Sequence, residues 1–200
     1  MSKSLVDIEN SIITFENTSR EEIWSLMKAR TKEYYLHSEI FDKFCNVNQY
    51  INVPVDYAYA YLSNIKTLEE WTFSVRSLKS IGGGLYEGIE AIVGNTKIYI
   101  RADCYPESRV IDWPCAWDQK EDLWMFYATR LLDAKPTLGK EGTVLIWTNL
   151  RHQNYINGPR PELIEGWNYM HVIHGIEANN LRIILENNYQ KEGIKNASDK

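Results

Sequence analysis

Residues 96–117 read TKIYIRADCYPESRVIDWPCAW, and this stretch decides the fold. From Thr96 to Tyr105 the side chains alternate, with Ile98, Ile100, Ala102 and Cys104 on one face and Tyr99, Arg101, Asp103 and Tyr105 on the other. Period-two alternation is the mark of a strand, because successive side chains point to opposite faces of a sheet. Pro106 closes the strand, and Arg109–Trp117 begins another with no room for a helix between them. Two strands joined so tightly must run antiparallel. Pro114 inside the second strand predicts an edge or a bulge, since proline has no N–H to give a ladder. Alternation does not say which face is concave. Arg101 and Asp103 either sit in solvent on a polar outer face or enter a pocket as a paired charge that orients a polar ligand.

The same pattern extends in both directions. Phe73–Ile81 and Leu85–Val93 read as strands joined at Gly82-Gly83-Gly84, and Gly94-Asn95 turns the chain into residue 96. Downstream, Asp122–Asp133 and Thr143–His152 read as strands separated by a polar loop through Pro136, Gly139 and Gly142. No helical period interrupts this run, so the sheet should be an antiparallel meander of about six to seven strands, counting Asn48–Val55. Between Asn48–Val55 and the meander, Tyr57, Tyr61, Leu62 and Ile65 recur at helical spacing and predict one or two short helices ending near Trp71. After the break at Asn157–Pro161, a long helix is expected from about Pro161 to Tyr189. Residues 1–45 read as a helical extension, with Thr18 or Ser19 as cap and Glu21 and Glu22 in the first turn. Residues 191–200 read as a polar, frayed tail.

Composition narrows the function classes. The 200 residues are 44% hydrophobic and 24% charged, as expected of a folded domain, and the net charge is −5 with no basic stripe. Nucleic acid is therefore an improbable partner, since neutralising phosphates needs clustered Lys and Arg. Seven Trp and thirteen Tyr exceed ordinary usage and suit a packed core or a pocket wall. Cys45, Cys104 and Cys115 are odd in number and form no CxxC pair, which argues against a disulfide framework or structural zinc. Residues 1–10 hold no apolar run of signal-peptide type, and no stretch reaches ~18 apolar residues. A cytoplasmic location without membrane contact is the expectation.

In this order the elements resemble the START/Bet v 1-like superfamily, also called the SRPBCC or polyketide cyclase/dehydrase-like group. Asn48–Val55 resembles the opening strand, leading into the first helix at Tyr57–Leu62. Trp71 is similar to the Trp after the second short helix, Glu141-Gly142-Thr143-Val144 to the start of the last strand, and Asn180–Glu186 to the end of the closing helix. The resemblance spans about residues 46–190. It implies an α+β helix-grip fold, with a curved antiparallel sheet wrapped around the C-terminal helix and a deep cavity between them. It does not imply one activity, because the superfamily holds cyclases, lyases, hydroxylase subunits, lipid carriers and receptors.

The closing helix carries the sharpest chemical signal. Stepping 100° per residue from His174 puts Leu163, Trp167, Met170, Ala178, Leu181 and Leu185 on its face, with His171 and Glu177 flanking. A histidine in an apolar stripe is desolvated and neutral, able to accept a proton or donate a hydrogen bond, or else simply a satisfied core residue. His171 and His174 have the spacing of a metal pair, but a third ligand such as His152 or Glu177 would be needed, and no metal is expected. On the last strand Leu145, Trp147, Asn149 and Arg151 share one face, and Tyr127 stands on the strand before it. The catalytic candidates are His174, Arg151, Asn149 and Tyr127. The candidate ligand contacts are Trp147, Trp167, Met170, His171, Arg101, Asp103 and Trp124. Cys115 has no evident base beside it, and no GxSxG, HExxH or dinucleotide motif occurs.

Two functions fit these residues. One is a cofactor-free enzyme that folds a small hydrophobic or polyketide-like molecule and cyclises, dehydrates or isomerises it by acid/base chemistry. The other is a carrier or sensor of a hydrophobic ligand, with the extension as lid or partner surface. A homodimer is compatible with either.

Overall fold

The computed structural model describes residues 11–23, 44–150 and 170–198. Strand β1 spans Phe44–Ile51 and is followed by helix α1 (Val55–Leu62), a 3₁₀ turn (Ile65–Thr67) and helix α2 (Leu68–Trp71). Then come β2 (Val75–Gly82), β3 (Leu85–Glu90), β4 (Thr96–Arg101), β5 (Asp103–Tyr105), β6 (Val110–Trp117) and β7 (Met125–Asp133). A short helix α3 (Lys135–Leu138) precedes β8 (Thr143–Leu150), and helix α4 runs over Met170–Ser198. The eight strands form one antiparallel sheet in the order β1-β8-β7-β6-β4-β3-β2, with β5 also paired to β6. Helix α4 lies across it, packing Ala178, Leu181 and Leu185 into the main core. This is the helix-grip α+β architecture.

Local chemistry explains the joints. Gly83 and Gly84 both adopt positive φ, 59° and 77°, which suits the tight β2–β3 turn and which side chains resist. At the start of β8, Gly142 takes φ 132°, and a Cβ there would come within 2.7 Å of the Tyr50 ring. The next residue, Thr143, donates its hydroxyl to the Val53 carbonyl at 2.8 Å. The Gly-Thr pair thus ties the start of β8 to the end of β1.

Several expected boundaries move. The stretch 96–105 is two strands, broken at Ala102. Pro114 lies neither on an edge nor in a bulge of its own strand. It sits in interior strand β6 where β4 hands over to β5: Cys115 pairs with Ile100 and Asp112 with Asp103, so the missing N–H faces the interruption. The opening strand begins at Phe44 and stops at Ile51, so it takes the last residues of the expected extension, and Leu85–Val93 ends at Glu90 in a 3₁₀ turn. Helix α4 continues past Tyr189 to Ser198, into the stretch read as frayed. Most of the extension read over 1–45, and the start of the closing helix at 161–169, lie outside the described residues.

Residues 11–23 form a strap. Ser19 caps the helical turn at 20–23: its hydroxyl accepts from the Glu22 N–H at 3.2 Å, and its own N–H donates to the Glu22 carboxylate at 3.0 Å. Ile13 and Ile23 are buried with Phe73, Val172, Ile173 and Ile176 in a second, smaller core on the flank of α4.

Candidate functional site

Between the concave face of the sheet, the α2–β2 segment and the first turns of α4 lies a cavity of about 660 Å³, its mouth included. Its walls are largely indole: Trp71, Trp113, Trp117 and Trp147, with Tyr127 and Met170. Trp71 meets Trp113 at 5.9 Å and Trp147 at 5.4 Å between ring centroids. The ionisable side chains on the wall are His174 and Glu177 from α4, Glu90 from β3, Cys115 from β6 and Tyr127 from β7.

His174 is the focus. Register places Cys45, Asn149, Tyr127 and Trp113 in one row across β1, β8, β7 and β6. The imidazole contacts two members of this row: its Nδ1 is 3.6 Å from Cys45 Sγ and its ring is 5.5 Å from that of Tyr127. It also stacks on Trp147 with 4.4 Å between centroids. Desolvation by these walls, aided by His171, pushes its pKa down to about 3, so the imidazole is neutral at physiological pH. Burial likewise holds the Cys45 and Cys115 thiols well above their ordinary range, and both stay protonated.

Glu177 is the complement. One oxygen, Oε1, accepts the Phe73 N–H at 2.8 Å, and Oε2 stands 4.0 Å from His174 Nε2. Burial, reinforced by Glu90, raises its pKa to about 8 against the hydrogen bond from Phe73. Glu90 is raised too, first by desolvation, while it accepts a bond from the Ser74 hydroxyl. The cavity therefore presents a neutral base beside a neutral acid, the reverse of an ordinary ion pair, because the apolar walls penalise both charges. Among the described residues no three His, Cys, Asp or Glu side chains are grouped to hold a metal ion.

The structure gathers some of the sequence candidates and scatters others. His174, Tyr127, Trp147 and Met170 all line the cavity. Asn149 is buried beside Tyr127, and among the described residues neither end of its amide has a hydrogen-bond partner. His171 is half-buried just outside the lining, and burial lowers its pKa. Arg101 and Asp103 are not in the cavity. They form a two-bond ion pair, 2.7 and 2.9 Å, on the convex face, because Ile98 and Ile100 take the concave one. Trp124 packs edge-on against Trp117 at 5.6 Å and does not reach the lining. Arg151, Trp167, Leu163 and His152 lie outside the described residues. Sequence reasoning gave Cys45 and Glu90 no role in the site and placed Glu177 as a flank of His174 or a candidate third metal ligand. The i, i+3 spacing of His174 and Glu177 was the available signal, but it did not show that Phe73 would anchor the carboxyl.

No family model matches the chain, and no curated protein matches it. Solved structures do. The protein XoxI from Bacillus cereus aligns over 72% of this chain and 95% of its own, with 11% identity and a TM-score of 0.52. A conserved protein from Geobacillus kaustophilus aligns over 71% and 94%, with 14% identity and a TM-score of 0.51. A START superfamily protein from Mycobacterium smegmatis aligns over 70% and 99%, with 11% identity and a TM-score of 0.48. At such identities the likeness is one of fold alone: the chain shares with the Bacillus cereus and Geobacillus kaustophilus proteins an antiparallel sheet wrapped on a C-terminal helix.

Proposed function

We propose that the cavity takes up a small, flat, largely apolar carbonyl compound, and that His174 and Glu177 move a proton on it without a cofactor. The observation that carries this reading is the neutral imidazole set 4.0 Å from a protonated carboxyl inside a wall of indoles. With Nδ1–H turned to the Cys45 sulfur, Nε2 is a free base. Glu177 gives its proton to the carbonyl oxygen while Nε2 takes one from the adjacent carbon. The products of this step are an enol, an imidazolium and a carboxylate, and the two new charges stabilise each other at short range in a low dielectric. Returning the proton to a different carbon isomerises the substrate. Expelling a β-hydroxyl as water dehydrates it, and attack of the enol carbon on a second carbonyl closes a ring. Trp147 and Met170 hold the apolar body, which supplies orientation. Tyr127, Asn149 and, beyond the described residues, Arg151 are the donors assigned to the carbonyl oxygen as it gains charge in the transition state.

The test uses 2-acetylnaphthalene in D₂O, with binding followed by quenching of tryptophan fluorescence and exchange of the methyl protons by NMR. Wild-type protein should bind the ketone and exchange its protons well above the buffer rate. His174→Ala should still bind while exchange drops to background. Binding without exchange in the wild type would leave a carrier, and the absence of binding would remove the ligand-cavity reading itself.

A further inference from the structure

The segment that anchors Glu177 is held from two sides. Toward the cavity, the Phe73 N–H donates to Glu177 Oε1 at 2.8 Å. Away from it, the Phe73 carbonyl accepts the Phe15 N–H of the strap at 3.0 Å, and the two phenyl rings meet edge-on at 6.3 Å. Arg76 lies one turn along, at the start of β2. Its guanidinium wraps the outside of this segment, donating to the carbonyls of Val75 at 2.7 Å, Thr72 at 3.2 Å and Phe73 at 3.3 Å. Its remaining reach goes to Glu16 on the strap, in a fork of 2.5 and 2.7 Å. The guanidinium in turn holds the Glu16 carboxyl down at about 2, so the fork stays charged at any ordinary pH.

The groups around Glu177 come from every neighbouring element: His171 and His174 on α4, Cys45 on β1, Arg76 on β2, Glu90 on β3, Cys115 on β6 and Tyr127 on β7. Of these, only Arg76 carries a permanent positive charge, and it pulls on both Glu177 and Glu90 from outside the cavity.

We propose that Glu16 is a positioning residue for the site: by fixing Arg76 in a fork on the outer side of the 72–76 segment, it keeps the guanidinium from turning toward Glu177 and Glu90. The strap thereby keeps the cavity acid un-ionised, and this rests on the function proposed above only in giving that acid a task. Glu16 acts through Arg76 and touches no substrate. Its side chain is 57% exposed, so its replacement disturbs no packing.

The experiment titrates Glu177 in ligand-free protein labelled with ¹³C at the glutamate δ-carbon, with its signal identified by its disappearance in Glu177→Gln. In Glu16→Gln the midpoint should fall by about one pH unit or more, while the melting temperature stays close to wild type. Glu16→Gln combined with Arg76→Met should return the midpoint to the wild-type value or above. An unchanged midpoint in Glu16→Gln overturns the proposal. A lowered midpoint that persists in the double variant overturns it as well, because the effect would not run through Arg76. Neither failure touches the proton-exchange test of the proposed function, which is read on a different variant with ligand present.

Discussion

Two buried asparagines sit at equal depth and are treated in opposite ways. Asn180, 0% exposed on α4, spends its whole amide: Oδ1 accepts the Ile13 N–H at 2.7 Å, and Nδ2 donates to the carbonyls of Ile13 at 2.6 Å and Trp71 at 3.2 Å. Asn149, 1% exposed on β8, has neither amide atom bonded among the described residues, although it stands in the row beneath His174. A buried amide without partners costs stability, so a protein keeps one where something other than stability is served. The strap side of α4 is thus finished by the chain itself. The sheet side carries an amide unbonded among the described residues and two ionisable groups neutralised by burial.

The sharpest way to break this contrast is Asn180→Ala. It orphans three backbone groups and frees the strap, and should cost about 3 kcal/mol in urea unfolding, with faster amide exchange over residues 11–23. A loss below ~1 kcal/mol would show that the strap is not held there.

The next effect is on the dependence of stability on pH. Glu177 is raised from 4.5 to about 8 in the folded chain, so its contribution is whole below about 4.5 and is lost as pH climbs toward 8. His174 is the mirror case. Lowered from 6.5 to about 3, it makes the unfolded chain bind the extra proton below 6.5, and stability is lost as pH falls from there toward 3. Each window carries a slope of about 1.4 kcal/mol per pH unit. Glu177→Gln should remove one such slope on the alkaline side and His174→Asn one on the acid side, read from urea midpoints between pH 4 and 9. Curves parallel to wild type would mean that folding shifts neither pKa.

A smaller effect of opposite sign is expected at the second asparagine. Asn149→Leu removes an unbonded amide at nearly constant volume and should stabilise the ligand-free protein by about 1 kcal/mol. Destabilisation would reveal a bound water or another partner completing the amide. The smallest effect is Glu16→Gln on thermal stability, below ~1 kcal/mol for an exposed pair, even though the same variant is expected to move the titration of Glu177.

Much of the architecture was legible in the sequence, and the reason is periodicity. Alternation through residues 96–105 and 143–152 identified strands and sorted their faces, and the helical stripe through His174, Ala178, Leu181 and Leu185 identified the helix and its buried side. What escaped was whatever depends on contacts distant in sequence. Pro114 read as an edge or bulge signal because a single strand does not reveal that its neighbours change partners opposite it. Arg101 and Asp103 stayed ambiguous because alternation is symmetric, and only curvature around α4 makes one face concave. Glu177 looked like a flank because its anchor, the Phe73 N–H, lies on another element.

The sequence by itself therefore determined the element order, the pairing sense and the stripe that places a histidine in an apolar setting, since these follow from local spacing and side-chain chemistry. Only the tertiary structure decided that His174 meets Cys45 and Trp147, that burial raises the pKa of Glu177 beside it, and that Glu16 on the strap forks onto Arg76, a guanidinium that draws on both cavity carboxyls. Those outcomes rest on desolvation and on charges brought within a few ångströms, and neither exists until the chain has closed around them.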